Sequence, residues 1–266
     1  MSTTFARTVD EAVAALAASE KPLVVGGGTL CVPALVRGEI VPADIVDLGR
    51  AGLDTIVDGP SVELGALVSY QQLLTSPVVR RELPLLHRLA SGITGGIQIR
   101  HQGTLVGALC AARPQSDVPA AAVALRAEVM VRSAAGTRRV PVERFLAGPM
   151  TPDLASGELV VGVRIPRSPG TNGYVKHKFA ESSWPVVTAA AVPGRVVLGG
   201  VAGTPQVVPI PGAATDGASV RSAVADHLAA LGAEHRWTDL RAPWEYRRRV
   251  APEIAARAVE QAEEIR

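Results

Sequence analysis

The first apolar positions of the chain fall in helical order. Val9, Ala12, Val13 and Leu16 lie on one face of a 3.6-residue repeat. Thr8 and Glu11 stand at the spacing of a capping box, in which the hydroxyl accepts a first-turn N–H and the acidic side chain reaches back. The pattern predicts a helix here, ended by Lys21-Pro22. The period then shortens. Leu23-Val24-Val25, Ile45-Val46-Asp47-Leu48 and Val62-Glu63-Leu64-Gly65-Ala66 are predicted strands. Helices are predicted at about 69–74 and 83–91, with a short one over 120–125. Residues 128–132 and 138–140 make a predicted hairpin around Ala135-Gly136, and 159–165 a strand stopped by Pro166.

Ser168-Pro169-Gly170-Thr171-Asn172-Gly173 has loop chemistry and marks an expected boundary. Beyond it the pattern predicts strands at 186–191 and 195–198. A helix follows at 219–231, with Val220, Val224, Leu228 and Leu231 as its stripe and Gly232 as its cap. From Trp244 onward the pattern is helical, and Pro252 predicts two helices or a kink. Strands and helices alternate early and hairpins dominate later, so the expected class is mixed α/β (α+β) built from small subdomains.

Composition narrows the function classes. Apolar residues make up 47% of 266, enough for a sizeable core, yet no run reaches the ~20 that a membrane helix needs. The N-terminus carries acidic residues early and no long apolar block, so a cytoplasmic setting is expected. A net charge of +2 gives no ground for nucleic-acid binding. Arg247, Arg248 and Arg249 are expected on a solvated helix face. Cys31 and Cys110 form no CxxC pair and cannot alone hold an iron–sulfur cluster. The five histidines show no metal spacing, so no metal site is expected. Ser182-Ser183 lacks the setting of a nucleophile elbow, and no carboxylate pair stands out, so no catalytic residue is assigned.

The candidate chemistry lies in glycines. Gly26-Gly27-Gly28-Thr29 follows a predicted strand, where glycines let consecutive N–H groups approach a phosphate. Its order is neither GxGxxG nor a Walker sequence. A tight strand-to-helix turn explains it equally well. Gly103-Thr104-Leu105-Val106-Gly107 is a second candidate loop. Asp117 follows a proline turn and suits either a ribose hydroxyl or a helix cap. Lys178 is a cation placed to meet a phosphate, a flavin or solvent.

Together these segments resemble the FAD-binding medium subunit of molybdenum hydroxylases, the group of carbon monoxide and xanthine dehydrogenases. The family's first loop has the form A-G-G-T-D-L-hydrophobic-P, matched by Gly26-Gly27-Gly28-Thr29-Leu30-Cys31-Val32-Pro33. Its central block, I-R-N-x-G-T-I-G-G-N then P-x-x-D, is matched by Ile99 to Ala108 and by Pro114 to Asp117. The strand from Glu158 to Pro166, Lys178, the stretch from Val197 to Pro205 and the segment opening at Trp244 continue the match in order. The departures are Leu30 for an acidic residue, His101 for Asn, Val106 for Gly and Ala108 for Asn.

The resemblance implies a two-part FAD-binding domain of the PCMH-like type over 1–167, with subdomains of about 1–55 and 56–167. A smaller C-terminal α+β domain with an antiparallel sheet would span 172–266. It implies that FAD is held by Val25, Gly26, Gly27, Gly28, Thr29 and Leu30, and by Thr104, Leu105, Val106, Gly107 and Ala108. Asp117 would serve the ribose or adenine side, Val160 would line the pocket, and Lys178 would lie near the flavin. It also implies electron transfer beside a molybdenum-containing large subunit and a 2Fe-2S small subunit. Two alternatives stay open. One is a stand-alone FAD enzyme, as monomer or homodimer, using His177, Lys178, Glu181 and Trp184 at the flavin face. The other is a structural subunit that has lost FAD.

Overall fold

The computed structural model describes residues 2–210 and 216–264. Three sheets of three or more strands organise it, beside one two-stranded sheet. The first is parallel and three-stranded, with Asp44–Asp47 between Ser2–Phe5 and Pro22–Val25. Val9–Ala17 packs on it, capped by Thr8, whose hydroxyl accepts the Glu11 N–H as its spacing predicts. Glu11 reaches back to the N–H of Arg7.

The second sheet is antiparallel, in the order Ile56–Asp58, Ser61–Gly65, Leu159–Pro166, Glu128–Ser133, Gly136–Pro141. Its last two strands are the expected hairpin. The central strand Leu159–Pro166 carries a bulge between Val160 and Gly162. Leu159 joins a small apolar cluster with Leu16 and Val46. Val160 joins the largest cluster, with Leu64, Leu109 and Val131. Consecutive residues of one strand thus serve two cores, as alternation across a sheet requires.

The third sheet is a four-stranded meander, Gly173–His177, Val187–Val192, Arg195–Gly199, Gln206–Pro209. The helices Gly217–Ala229 and Trp244–Glu263 form a cluster with it. Its other side meets the helix Asp117–Ala124: a Cβ on Gly199 would stand 3.3 Å from Ala120 Cβ. The mixed α/β class with antiparallel sheets is as expected.

Three expectations need correction. Trp244–Glu263 is one helix running through Pro252, so of the two expected alternatives two separate helices are excluded; the expected pattern reached 265 and 266, which lie outside the described residues. Arg247 is fully buried and not on a solvated face. It donates to the carbonyls of Ala242, Val186 and Gly200 and pairs with Asp239. Ala230, rather than Gly232, caps Gly217–Ala229. Among the described residues, no helix is long and apolar enough to cross a membrane, and no group of three His, Cys, Asp or Glu side chains is arranged to hold a metal ion.

Candidate functional site

The strand Pro22–Val25 gives way at Gly26, and the chain turns through residues 26–30 into the helix Cys31–Val36. Gly28 sits at φ +69, a conformation that suits glycine. Gly27 has an ordinary φ but no room. A Cβ there would lie 1.7 Å from the carbonyl oxygen of Gln102. The first glycine turn therefore rests directly on the backbone that enters the second.

That second stretch is not a free loop. Thr104 is the N-cap of the helix Leu105–Ala111, and its Oγ1 accepts the Gly107 N–H at 2.9 Å. The Tyr70 N–H donates to the Gly103 carbonyl, tying the stretch to the neighbouring helix Tyr70–Thr75. Val106 is a helical residue without positive φ, so its Cβ costs the backbone nothing. It faces inward at 4% exposure.

Between the two turns lies a cavity of about 500 Å³, within the ~300–1,000 Å³ usual for ligand sites. Gly26, Gly27, Gly28, Thr29 and Leu30 line it, as do Thr104, Val106, Gly107, Ala108, Asp117 and Val160. Val25 and Leu105 do not. Val25 carries a strand carbonyl that accepts from the Leu48 N–H, and Leu105 is a core residue. Lys178 also stands outside the lining. Its Nζ donates to the Glu181 carbonyl and pairs with the Glu181 carboxylate.

Other walls lie outside the residues implied to hold FAD, although Trp184 is expected at the flavin face of a stand-alone enzyme. Ile93, Thr94 and Gly95 form one side, and Ser182, Trp184 and Pro185 come over from the C-terminal part. The two are joined, since Thr94 Oγ1 donates to the Ser183 carbonyl. Arg113 lies over the Trp184 ring. The signal for the first wall was the glycine-rich stretch 92–96, where Gly95 and Gly96 both take positive φ. In the second wall only Trp184 is expected from the sequence; the placing of Ser182 and Pro185 there depends on distant chain segments meeting.

Two carboxylates line the cavity, Asp117 and Glu158. Glu158 is gripped by Arg138, Nε to Oε1 and Nη2 to Oε2, both at 2.7 Å. Arg138 holds it below the usual carboxylate range, helped by the Ala155 N–H. Asp117 opens the helix Asp117–Ala124, with Ser116 as the cap residue. Asp117 Oδ1 accepts from the Tyr174 hydroxyl at 2.6 Å and from Lys176 Nζ at 2.7 Å. Burial, then the Asp117 charge, raises the Tyr174 phenol well above its ordinary range. Cys31 and Cys110 also line the cavity. Burial pushes the Cys110 thiol up to about 12 and raises that of Cys31, so neither is poised as a thiolate.

The arrangement suits an elongated ligand with a phosphate-bearing middle. Glycine backbone approaches closely on one side, the first turn of a helix stands on the other, and a carboxylate waits at one wall. Residues 1–168 match the family model described as the FAD binding domain in molybdopterin dehydrogenase. The chain belongs to that family. FAD is therefore its cofactor and an oxidoreductase its setting. The close-packed cradle at Gly27 and the left-handed Gly28 fit such a group.

Named relatives agree. The chain is 33% identical over 165 residues to the glyceraldehyde dehydrogenase medium chain of Sulfolobus acidocaldarius, covering 60% of this chain and 58% of that one. It is 26% identical to the nicotine 6-hydroxylase medium subunit of Paenarthrobacter nicotinovorans, covering 96% and 94%. Among solved structures it is similar to the carbon monoxide dehydrogenase of Hydrogenophaga pseudoflava that lacks the Mo-pyranopterin moiety. There the TM-score is 0.89 at 27% identity, over 99% of this chain and 97% of that one.

Proposed function

We propose that this chain is the FAD-carrying medium subunit of a molybdenum hydroxylase. It takes electrons from an iron–sulfur partner chain and hands them to an external acceptor, while a molybdenum-containing large subunit oxidises the substrate. The relatives named as medium chains or subunits support this assignment.

The observation that carries it is the cavity. Two glycine-bearing turns meet backbone to backbone at Gly27 and Gln102, and Asp117 stands on the wall they share. Gly26, Gly27, Gly28, Thr29 and Leu30 hold one side of the FAD pyrophosphate through backbone N–H groups. The first turn of Leu105–Ala111 holds the other, with Thr104 fixing that turn by accepting the Gly107 N–H. Asp117 accepts from the ribose or adenine side, and Val160 packs against the cofactor. Bound FAD supplies the electron-carrying chemistry; the chain's residues bind it, orient it and keep water out.

The same geometry weighs against a stand-alone enzyme. Both oxygens of Glu158 are engaged, one oxygen of Asp117 is doubly engaged, and the cavity thiols are pushed toward the protonated form. No free acid–base pair remains among the residues that line the cavity.

The test is the visible spectrum of the purified chain, followed by heating and identification of what is released. Flavin absorption with FAD set free is the expected result. Co-purification with two further chains would support the subunit role. A colourless protein that takes up no FAD supplied in excess, alone or with its partner chains, overturns the assignment.

A further inference from the structure

We propose that Tyr174 is a positioning residue that fixes Asp117 for the cofactor, so that docking of the C-terminal sheet and FAD binding are thermodynamically linked. The proposal rests on the reading of Asp117 as an FAD-binding group.

Tyr174 and Lys176 are two residues apart on the strand Gly173–His177, so their side chains leave the same face. Both end on one oxygen, Oδ1 of Asp117. Tyr174 and Asp117 are buried and Lys176 nearly so: Tyr174 is 6% exposed, and the Lys176 and Asp117 side chains are 10% and 9% exposed. A carboxylate has about four acceptor positions on two oxygens. With both partners on Oδ1, Oδ2 accepts from no described protein group, although Asp117 lines the cavity. An acceptor so left open on a cavity-lining residue is available to a ligand donor such as a hydroxyl or an amine.

The strand that carries Tyr174 is itself fixed. The Tyr174 N–H donates to Gln261 Oε1 on the last helix. A Cβ on Gly173 would lie 1.7 Å from the Ala258 carbonyl oxygen, so strand and helix touch backbone to backbone. Lys176 Nζ also donates to the carbonyl of Gly92, beside the cavity wall at Ile93, Thr94 and Gly95. One strand of the C-terminal sheet thus grips both the carboxylate and a cavity wall. Whatever loosens that strand frees Asp117 to rotate. By linkage, a ligand that binds the fixed carboxylate must tighten the strand by the same free energy.

The experiment is a double-mutant cycle in the full chain, read as FAD affinity by flavin fluorescence quenching, with Tyr174→Phe and Asp117→Asn. Amide hydrogen exchange over Gly173–His177, with and without FAD, is the second readout. Tyr174→Phe keeps the ring and deletes only the hydroxyl. It should weaken FAD about tenfold, the scale of a hydrogen bond to a charged group. The double variant should be no weaker than Asp117→Asn alone, and FAD should slow exchange of the strand in the native chain but not in Tyr174→Phe. If Tyr174→Phe fails to fold, Lys176→Gln replaces it in the cycle with the same non-additivity expected. Additive losses, or an unchanged affinity in Tyr174→Phe beside a weakened Asp117→Asn, overturn the positioning role and leave Asp117 as a ligand. An unchanged affinity in Asp117→Asn overturns the reading of Asp117 and the proposal with it.

Discussion

At the scale of residues, Gly27 holds the site together for a reason the sequence does not display. A run of three glycines suggests positive φ, yet only Gly28 has it. Gly27 is needed because the Gln102 carbonyl occupies the place of its Cβ. Gly27→Ala must therefore push two backbones apart. It should destabilise the chain at the upper end of about 1–3 kcal/mol and weaken FAD at least tenfold, measured by thermal unfolding and FAD titration. Gly26→Ala is the control. Its nearest obstacle is the end of the Leu67 side chain at 3.2 Å, which can turn aside, so its thermal unfolding should barely move. Val106 carries the opposite lesson. Set against a glycine in the family pattern it reads as a loss, but helical backbone accommodates a valine. Lys178 and Lys176 are two residues apart and alike in sequence; only the fold separates the one that pairs with exposed Glu181 from the one that reaches Asp117.

At the scale of elements, what the periodicity made legible was each long amphipathic piece and each alternating strand. Thr8 caps its helix, the hairpin forms around Ala135-Gly136, and Leu159–Pro166 is a strand. Short helices such as Leu105–Ala111 were not legible, because two turns give too few positions to establish a period. The strand Ser2–Phe5 was missed because all four of its residues are exposed. The segment that links the hairpin to the central strand is held by a charge cluster, with Arg138 joining Glu158 and Asp153. This cluster sets an acid limit. Glu158 is held below its ordinary range by Arg138. Its contribution is complete above the unfolded carboxylate pKa of ~4.3 and is lost as pH falls through the lower folded value. Glu158→Gln should cost on the order of 1 kcal/mol at neutral pH, because Arg138 is over a third exposed. The gap between the two proteins should narrow as pH falls below the unfolded carboxylate value and close as it passes the lower folded one. Urea unfolding across that range checks it, and a gap independent of pH would show that the ion pair contributes nothing.

At the scale of the whole molecule, one apolar cluster lies wholly beyond the loop from Ser168 to Gly173, but another spans it. The largest apolar cluster takes Tyr174, Ala190 and Val197 from beyond the loop, each buried, beside Leu86, Leu109 and Val123 from before it. Asn172 inside the loop is buried as well and donates to the Ser168 carbonyl, while Arg88 donates to the Asn172 carbonyl. The cavity has the same composition, since Trp184 and Pro185 wall a space whose glycine turns lie within the first 110 residues. A fragment of residues 1–167 therefore exposes the face of Asp117–Ala124 that the third sheet covers, and leaves Asp117 without Tyr174 and Lys176. The full chain should unfold in urea as one transition, coincident by far-UV circular dichroism and tryptophan fluorescence. The fragment should unfold broadly, with a reduced slope against urea, because less surface is buried to begin with, and should bind FAD at least tenfold more weakly. A fragment that unfolds sharply and binds FAD like the full chain would mean that the first 167 residues form a self-sufficient site that does not depend on the C-terminal sheet.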